Sequence, residues 1–246
     1  MRLALECPTE LLSDIQPLAD FDFILCHLVL QDEEYANYYK RSTRLKILDN
    51  STNELLHPCS LDEIKRAADI VQPDYVVSPD FLGDHFSTEK GLDDTIKLFG
   101  KEKVLPVVQG SELKYVLECA EYITKKRLYR VAVPYDLTCS RKDSLEKMAD
   151  ARREVVEKLL QLDFQWIHLL GMTTLEELEN YNNWDIVGTI DTGSPVMHGM
   201  RRKKFGVDNL LPKDKPTLTQ MGRFYPTTRS TIYYNIAYLR KVLNGN

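Results

Sequence analysis

Four polar residues stand close behind short, continuous apolar runs. Asp49 follows Leu45–Leu48, Gln109 follows Val104–Val108, Asp191 follows Ile186–Ile190, and Asp80 lies three residues beyond Tyr75–Val77. A turn or helix N-cap aspartate accounts for any one of them taken alone. Four together point to one shared site, because a carboxylate withdrawn from water without partners is costly. Such a set suits proton transfer, or attack and departure at a glycosidic carbon. A metal is not expected: the histidines at 27, 57, 85, 168 and 198 form no H-x-x-x-H or H-x-H element. The five cysteines (Cys7, Cys26, Cys59, Cys119, Cys139) are scattered with no C-x-x-C, which argues against a thiolate zinc site and against a disulfide framework. No cofactor is expected either.

The elements that must carry these residues alternate along the chain. The apolar runs are Leu3–Leu5, Phe23–Leu30, Leu45–Leu48, Tyr75–Val77, Val104–Val108, Val131–Val133, Trp166–Leu170 and Ile186–Ile190. They are unbroken rather than alternating, as strands buried on both faces are. Between them lie helical segments with start signals: Thr9-Glu10-Leu11-Leu12 after Pro8, a capping box at Ser60-Leu61-Asp62-Glu63, and Thr174-Leu175-Glu176-Glu177. From Leu145 to Leu162, Met148, Val155, Leu159 and Leu162 recur at helical spacing. Eight strands with seven intervening helices predict an α/β fold, a (β/α)8 TIM barrel whose chemistry sits at the strand C-termini. An open doubly wound sheet usually carries a glycine-rich turn after its first strand, and Cys7-Pro8-Thr9-Glu10 has no glycine.

The barrel strands are expected over about 1–195 of a single domain, 1–246. A basic loop follows at 196–222, containing Arg201-Arg202-Lys203-Lys204, then a C-terminal helix at about 226–244 with Ile232, Ile236, Leu239 and Leu243 on one face. With 246 residues, 43% hydrophobic and 28% charged, collagen, a disulfide knot and a mainly disordered chain are excluded. A net charge of −5 excludes a uniformly basic nucleic-acid binder but not a local basic patch. The apolar stretches are too short to span a bilayer, and Leu3-Ala4-Leu5-Glu6 is no signal core, so no membrane partner and a cytoplasmic location are expected.

Asp49-Asn50-Ser51, Ser78-Pro79-Asp80, Pro106-Val107-Val108-Gln109-Gly110 and Ile190-Asp191-Thr192-Gly193-Ser194-Pro195 together resemble motifs of the tRNA-guanine transglycosylase superfamily. The resemblance runs from about Phe21 to Val196. It is greatest to the compact phage and bacterial branch, the DpdA-type DNA guanine transglycosylases. It implies a β/α barrel that exchanges guanine for a 7-deazaguanine base such as preQ0 or preQ1. It further implies Asp191 as nucleophile, Asp49 as general acid and base, and Asp80 and Gln109 (with Gly110) as readers of the base. Gly171 and Met172 fall where the family stacks on the base.

The chain departs from the tRNA enzymes in three places. Their D-S-G-G-F-Q is Asp49-Asn50-Ser51-Thr52-Asn53-Glu54 here, and no cysteine follows Cys139, so the zinc subdomain is absent. Val133-Pro134-Tyr135 replaces their glycine-rich loop, which makes Tyr135 a candidate beside the incoming base. Phe81, Tyr135 and Met172 are candidates for a lid against water. The missing zinc subdomain favours DNA over RNA as the partner. Arg201, Arg202, Lys203 and Lys204 are candidates to hold its phosphates, with Arg223 and Arg229 extending the track. The alternatives are the same exchange on RNA, or a non-catalytic subunit that binds nucleic acid or a partner protein. A helicase or other accessory protein is a possible further partner, since a small acidic chain is poorly equipped to open duplex DNA alone.

Overall fold

A computed structural model describes residues 1–137, 145–172, 174–181, 184–208 and 226–245. Its strands are β1 (Arg2–Leu5), β2 (Asp22–Leu25), β3 (Lys46–Asp49), β4 (Tyr75–Val77), β5 (Val104–Leu105), β6 (Arg130–Pro134), β7 (Trp166–Leu170) and β8 (Val187–Thr192). The α-helices are α1 (Leu12–Ile15), α2 (Cys26–Gln31), α3 (Glu33–Arg41), α4 (Thr52–Leu55), α5 (Leu61–Val71), α6 (His85–Phe99), α7 (Leu113–Lys125), α8 (Leu145–Leu159), α9 (Leu175–Glu179), α10 (Ser194–Met200) and α11 (Pro226–Leu243).

All strand pairs are parallel, so the fold is α/β. They form two four-stranded sheets, ordered β1-β8-β7-β6 and β2-β3-β4-β5. The ladder is not continuous between them. Pro106 has no N–H to donate, and β5 stops before it. Beyond it only the Val107–Ala132 bridge joins the two sheets, with Ala132 N–H on the Pro106 carbonyl at 2.7 Å. At the other seam Asp20 stands in for a strand: its N–H donates to the Leu3 carbonyl at 2.7 Å and its carboxylate accepts from the Leu3 N–H at 2.8 Å.

Alternate strand residues face opposite ways. Leu3 and Leu5 join the large cluster beneath the helices, whereas Ala4, Phe23, Leu25, Ile47, Val77, Leu105 and Ala132 form a second, smaller cluster drawn from β1 through β6. Both faces are therefore buried, which is why the runs read as unbroken.

Local signals set many boundaries. Ser60 and Glu63 make the reciprocal capping box that opens α5, and Thr174 caps α9 through the Glu177 N–H. Ile232, Ile236, Leu239 and Leu243 all bury their side chains from α11. Two expectations need correction. Phe23–Leu30 is not one strand: the chain turns into α2 at Cys26, because a short apolar run carries no periodicity that separates strand from buried helix. The segment from 196 is not loop throughout, since α10 extends to Met200 after opening with Pro195 in its first turn. Residues 209–225, with Arg223, lie outside the described residues, as does Cys139. Arg229 pairs with Asp14 on α1. No helix among the described residues is long and apolar enough to cross a membrane.

Candidate active site

At the C-terminal ends of the strands lies a cavity of about 310 Å³, within the usual size for a small-molecule site. Its lining includes the carboxylates Glu6, Asp49, Glu54, Asp80, Asp136 and Asp191 and, among the described residues, no lysine, arginine or histidine. The apolar wall is supplied by Phe23, Leu25, Leu170, Met172 and Met197.

Asp49 is the last residue of β3, and the chain turns sharply behind it. Ser51 adopts a left-handed conformation (φ 64°) and returns its N–H to Asp49 Oδ2 at 2.6 Å. Burial, then the neighbouring Glu54 charge, push the Asp49 carboxyl well above its ordinary range against that hydrogen bond. A carboxyl shifted in this direction holds its proton more firmly, which is the property a proton donor to a leaving group needs.

Asp80 is held differently. Asn50 Nδ2 donates to its Oδ1 at 2.8 Å and Gln109 Nε2 to its Oδ2 at 2.6 Å. Burial raises its carboxyl, and these bonds oppose the rise. Gln109 is fully buried behind Asp80, with Oε1 accepting from the Gly83 N–H at 3.3 Å, and it does not line the cavity. Gly110 also lies behind the wall. A Cβ there would meet the Val116 N at 2.5 Å, so this glycine lets α7 pack against the strand.

Asp191, in β8, is held by His168, by the Gly171 N–H and by a side-chain hydrogen bond with Glu6. His168 Nε2 lies 3.0 Å from Oδ1, and the Gly171 N–H is 3.2 Å from both oxygens. These donors hold a carboxylate in place and leave it facing the cavity, which suits a nucleophile. Gly171 is itself constrained: its φ is +69°, and a Cβ would strike the Tyr135 ring at 2.7 Å. Tyr135 therefore lies directly against the Asp191 support. Its hydroxyl donates to Asn53 Oδ1 at 2.8 Å, crossing the cavity mouth. Burial pushes its phenol up to about 12.

The loop bearing Gly171 and Met172 is braced from below. Arg152 is fully buried, forms a two-pronged pair with Glu177 at 2.5 and 2.7 Å, and donates to the Leu170 and Gly171 carbonyls at 3.0 Å. A buried guanidinium with both partners supplied fixes geometry through its planar fork.

Of the residues expected at the site, Asp49, Asp80, Asp191, Tyr135, Gly171 and Met172 line the cavity, while Gln109 and Gly110 stand behind it. Phe81 is outside the lining and its neighbour Leu82 is within it. Asp84, just past β4, instead caps α6 through the Ser87 N–H. Arg201, Arg202, Lys203 and Lys204 are exposed beyond α10.

Sequence reasoning missed Glu6, Glu54, His168 and the Arg152–Glu177 brace. Glu6 follows Leu3–Leu5 and so carries the same strand-end signal as the aspartates. Burial and then the Asp191 charge raise its carboxyl well above the ordinary range. Glu54 Oε2 is buried and has no hydrogen-bond partner among the described residues. Among the described residues, no group of three or more His, Cys, Asp or Glu side chains is arranged to hold a metal ion.

No protein-family model matches the chain, and no curated protein matches it. Among solved structures it is similar to the arginine decarboxylase of Paramecium bursaria Chlorella virus, bound to agmatine. The TM-score is 0.44 at 11% identity, over 78% of this chain and 64% of that one. The chain thus spans less than two thirds of that neighbour's length, and so distant a likeness carries no argument about activity.

Proposed function

We propose that this protein is a pentosyltransferase that exchanges guanine in DNA for a free 7-deazaguanine base. The observation that carries the reading is the division of labour between two aspartates of one cavity. Asp191 is held by His168 of β7 and by the Gly171 N–H just beyond that strand, and Asp49 is buried among carboxylates that raise its carboxyl. That is the pairing a retaining exchange at C1′ requires. The two sheets are read as halves of one β/α barrel, with the small cluster from β1 to β6 as its interior.

Asp191 attacks C1′ as the C1′–N bond breaks, and the bonding pair leaves with guanine. Asp49 gives that base its proton, and an aspartyl–sugar ester remains. The incoming base then loses a proton to Asp49 and displaces Asp191, so no redox partner or water is consumed. Asp80, fixed by Asn50 and Gln109, offers an acceptor to the N–H groups of either base. Glu54 Oε2, without a hydrogen-bond partner among the described residues, offers another. The target nucleotide must leave the stack to reach this cavity. Tyr135 and Met172 are placed to cover it once there.

The test is exchange of radiolabelled guanine into DNA, with unmodified tRNA as the parallel acceptor. Label entering DNA, lost in Asp191→Asn together with covalent trapping but with binding retained, is the expected result. Label entering only tRNA moves the substrate to RNA. No label in either acceptor, single- or double-stranded, overturns unaided catalysis in favour of a partner-dependent enzyme or a binding subunit.

A further inference from the structure

His168 is buried in the middle of β7, and its ring nitrogens reach Asp191 on one side and Thr189 on the other. Nε2 is 3.0 Å from Asp191 Oδ1 and Nδ1 is 2.8 Å from Thr189 Oγ1. Thr189 Oγ1 is also 2.8 Å from Trp166 Nε1. An indole nitrogen only donates, so Trp166 occupies an acceptor position on the hydroxyl. The single hydroxyl proton is then free to go to His168 Nδ1. That leaves the neutral ring with its proton on Nε2, facing the carboxylate. The opposite tautomer would set a bare nitrogen lone pair against Asp191 Oδ1 at 3.0 Å, acceptor against acceptor. His168 is 0% exposed, so water offers no substitute partner.

The backbone is shaped for this arrangement. Ile167 pairs with Val187 but His168 pairs with Thr189, so Gly188 is an extra residue in β8. A bulge of this kind re-aims the side chains beyond it. A Cβ at Gly188 would meet Trp166 Cδ1 at 3.1 Å, so only glycine gives the indole full room. Phe23 stacks on the imidazole at 5.4 Å between centroids and Phe21 meets it edge-on at 6.1 Å, which fixes the ring plane.

We propose that His168 is the positioning residue of the nucleophile. Its Nε2–H tautomer, set from behind by Trp166 and Thr189, anchors Asp191 Oδ1, and Oδ2, which meets the Gly171 N–H at 3.2 Å, is the attacking oxygen. A neutral donor orients the carboxylate while taking less from its nucleophilicity than a cation would. The same bond steadies the carboxylate when it is expelled in the second half of the exchange. The catalytic part of this inference rests on the base-exchange reading; the tautomer does not.

The test joins imidazole 15N NMR of the full-length protein with exchange kinetics, the His168 signals being identified by their loss in His168→Gln. The expected wild-type spectrum has Nε2 protonated and Nδ1 bare, and Thr189→Val shifts the Nδ1 resonance as that acceptor loses its hydrogen bond while Asp191 keeps the proton on Nε2. His168→Gln keeps an N–H near the Nε2 position and retains kcat within a few-fold. His168→Phe lowers kcat about 10- to 100-fold with KM unchanged, the size of one lost hydrogen bond to a charged group. An imidazolium or an Nδ1–H ring in the wild type overturns the proposal, as does wild-type kcat in His168→Phe. If the wild type exchanges no base, the functional reading fails, and the spectra of wild type and Thr189→Val still decide the tautomer.

Discussion

Glu6, Asp49, Glu54 and Asp80 all carry carboxyls raised above their ordinary range, each chiefly by burial. A raised acid binds its proton more tightly folded than unfolded. Its contribution to stability is therefore full below the unfolded value and is lost as pH rises through the folded one. Assembling the cavity thus costs the fold most at neutral and alkaline pH, where an active site trades stability for function. Glu6→Gln and Asp49→Asn remove that cost without removing volume. Each is expected to melt above wild type at pH 8, by about 2–4 °C for about 1 kcal/mol in a chain of this length. The gain should shrink towards pH 4, while Asp49→Asn loses exchange. Melting curves of the two variants across this range check the sign, and a gain that grows on acidification contradicts it.

The union of α10 with α11 depends on two residues that sequence periodicity does not single out. Asn235 is fully buried and makes three bonds: it accepts from the Phe205 N–H at 2.9 Å, and donates to the Lys203 carbonyl at 2.9 Å and the Pro195 carbonyl at 3.2 Å. Gly199 lies so close to α11 that a Cβ would meet Ile232 backbone atoms at 2.7 and 2.8 Å. Asn235→Ala is expected to cost about 2–3 kcal/mol by orphaning buried backbone groups. Gly199→Ala costs about 1–3 kcal/mol through overpacking. Urea melts give both values, and limited proteolysis should find new cleavage between 201 and 208 in Asn235→Ala. The apolar face of α11 was legible because four residues repeat at helical spacing. Helix α10 was not, because seven residues with one glycine give no periodic stripe. The same contrast holds at the site. Asp49, Asp80 and Asp191 announce themselves by following buried runs. His168 lies inside such a run, and its importance comes from what faces it across β8. Gln109 was legible as a strand-end residue, but its amide is oriented toward Asp80 by the Gly83 N–H on its Oε1, which no spacing rule connects to it.

At the scale of the molecule, charge is distributed against nucleic-acid binding almost everywhere. The net charge is −5 and, among the described residues, the cavity is lined by six carboxylates and no cationic side chain. A polyanion brought to this cavity must be held from its edge. The exposed run Arg201-Arg202-Lys203-Lys204 follows α10, which itself follows the strand bearing Asp191, so the cations and the nucleophile share one rigid connection of β8 and α10. Lys204 is further steadied over the Tyr234 ring at 5.3 Å, and Asn235 holds the Lys203 carbonyl. Each phosphate neutralised by such a side chain releases counterions and adds close to one unit to the slope of log K against log salt. Replacing all four residues by alanine is therefore expected to flatten that slope by about 2–4 units and to weaken binding most at low salt. Chemistry on a target already bound at saturating DNA should be little changed, because none of the four lines the cavity. Fluorescence anisotropy with a labelled single strand across a salt series measures the slope, and single-turnover exchange measures the chemistry. An unchanged slope would remove this run from the nucleic-acid path, and an equal loss in single-turnover rate would place it in the reaction rather than at its edge.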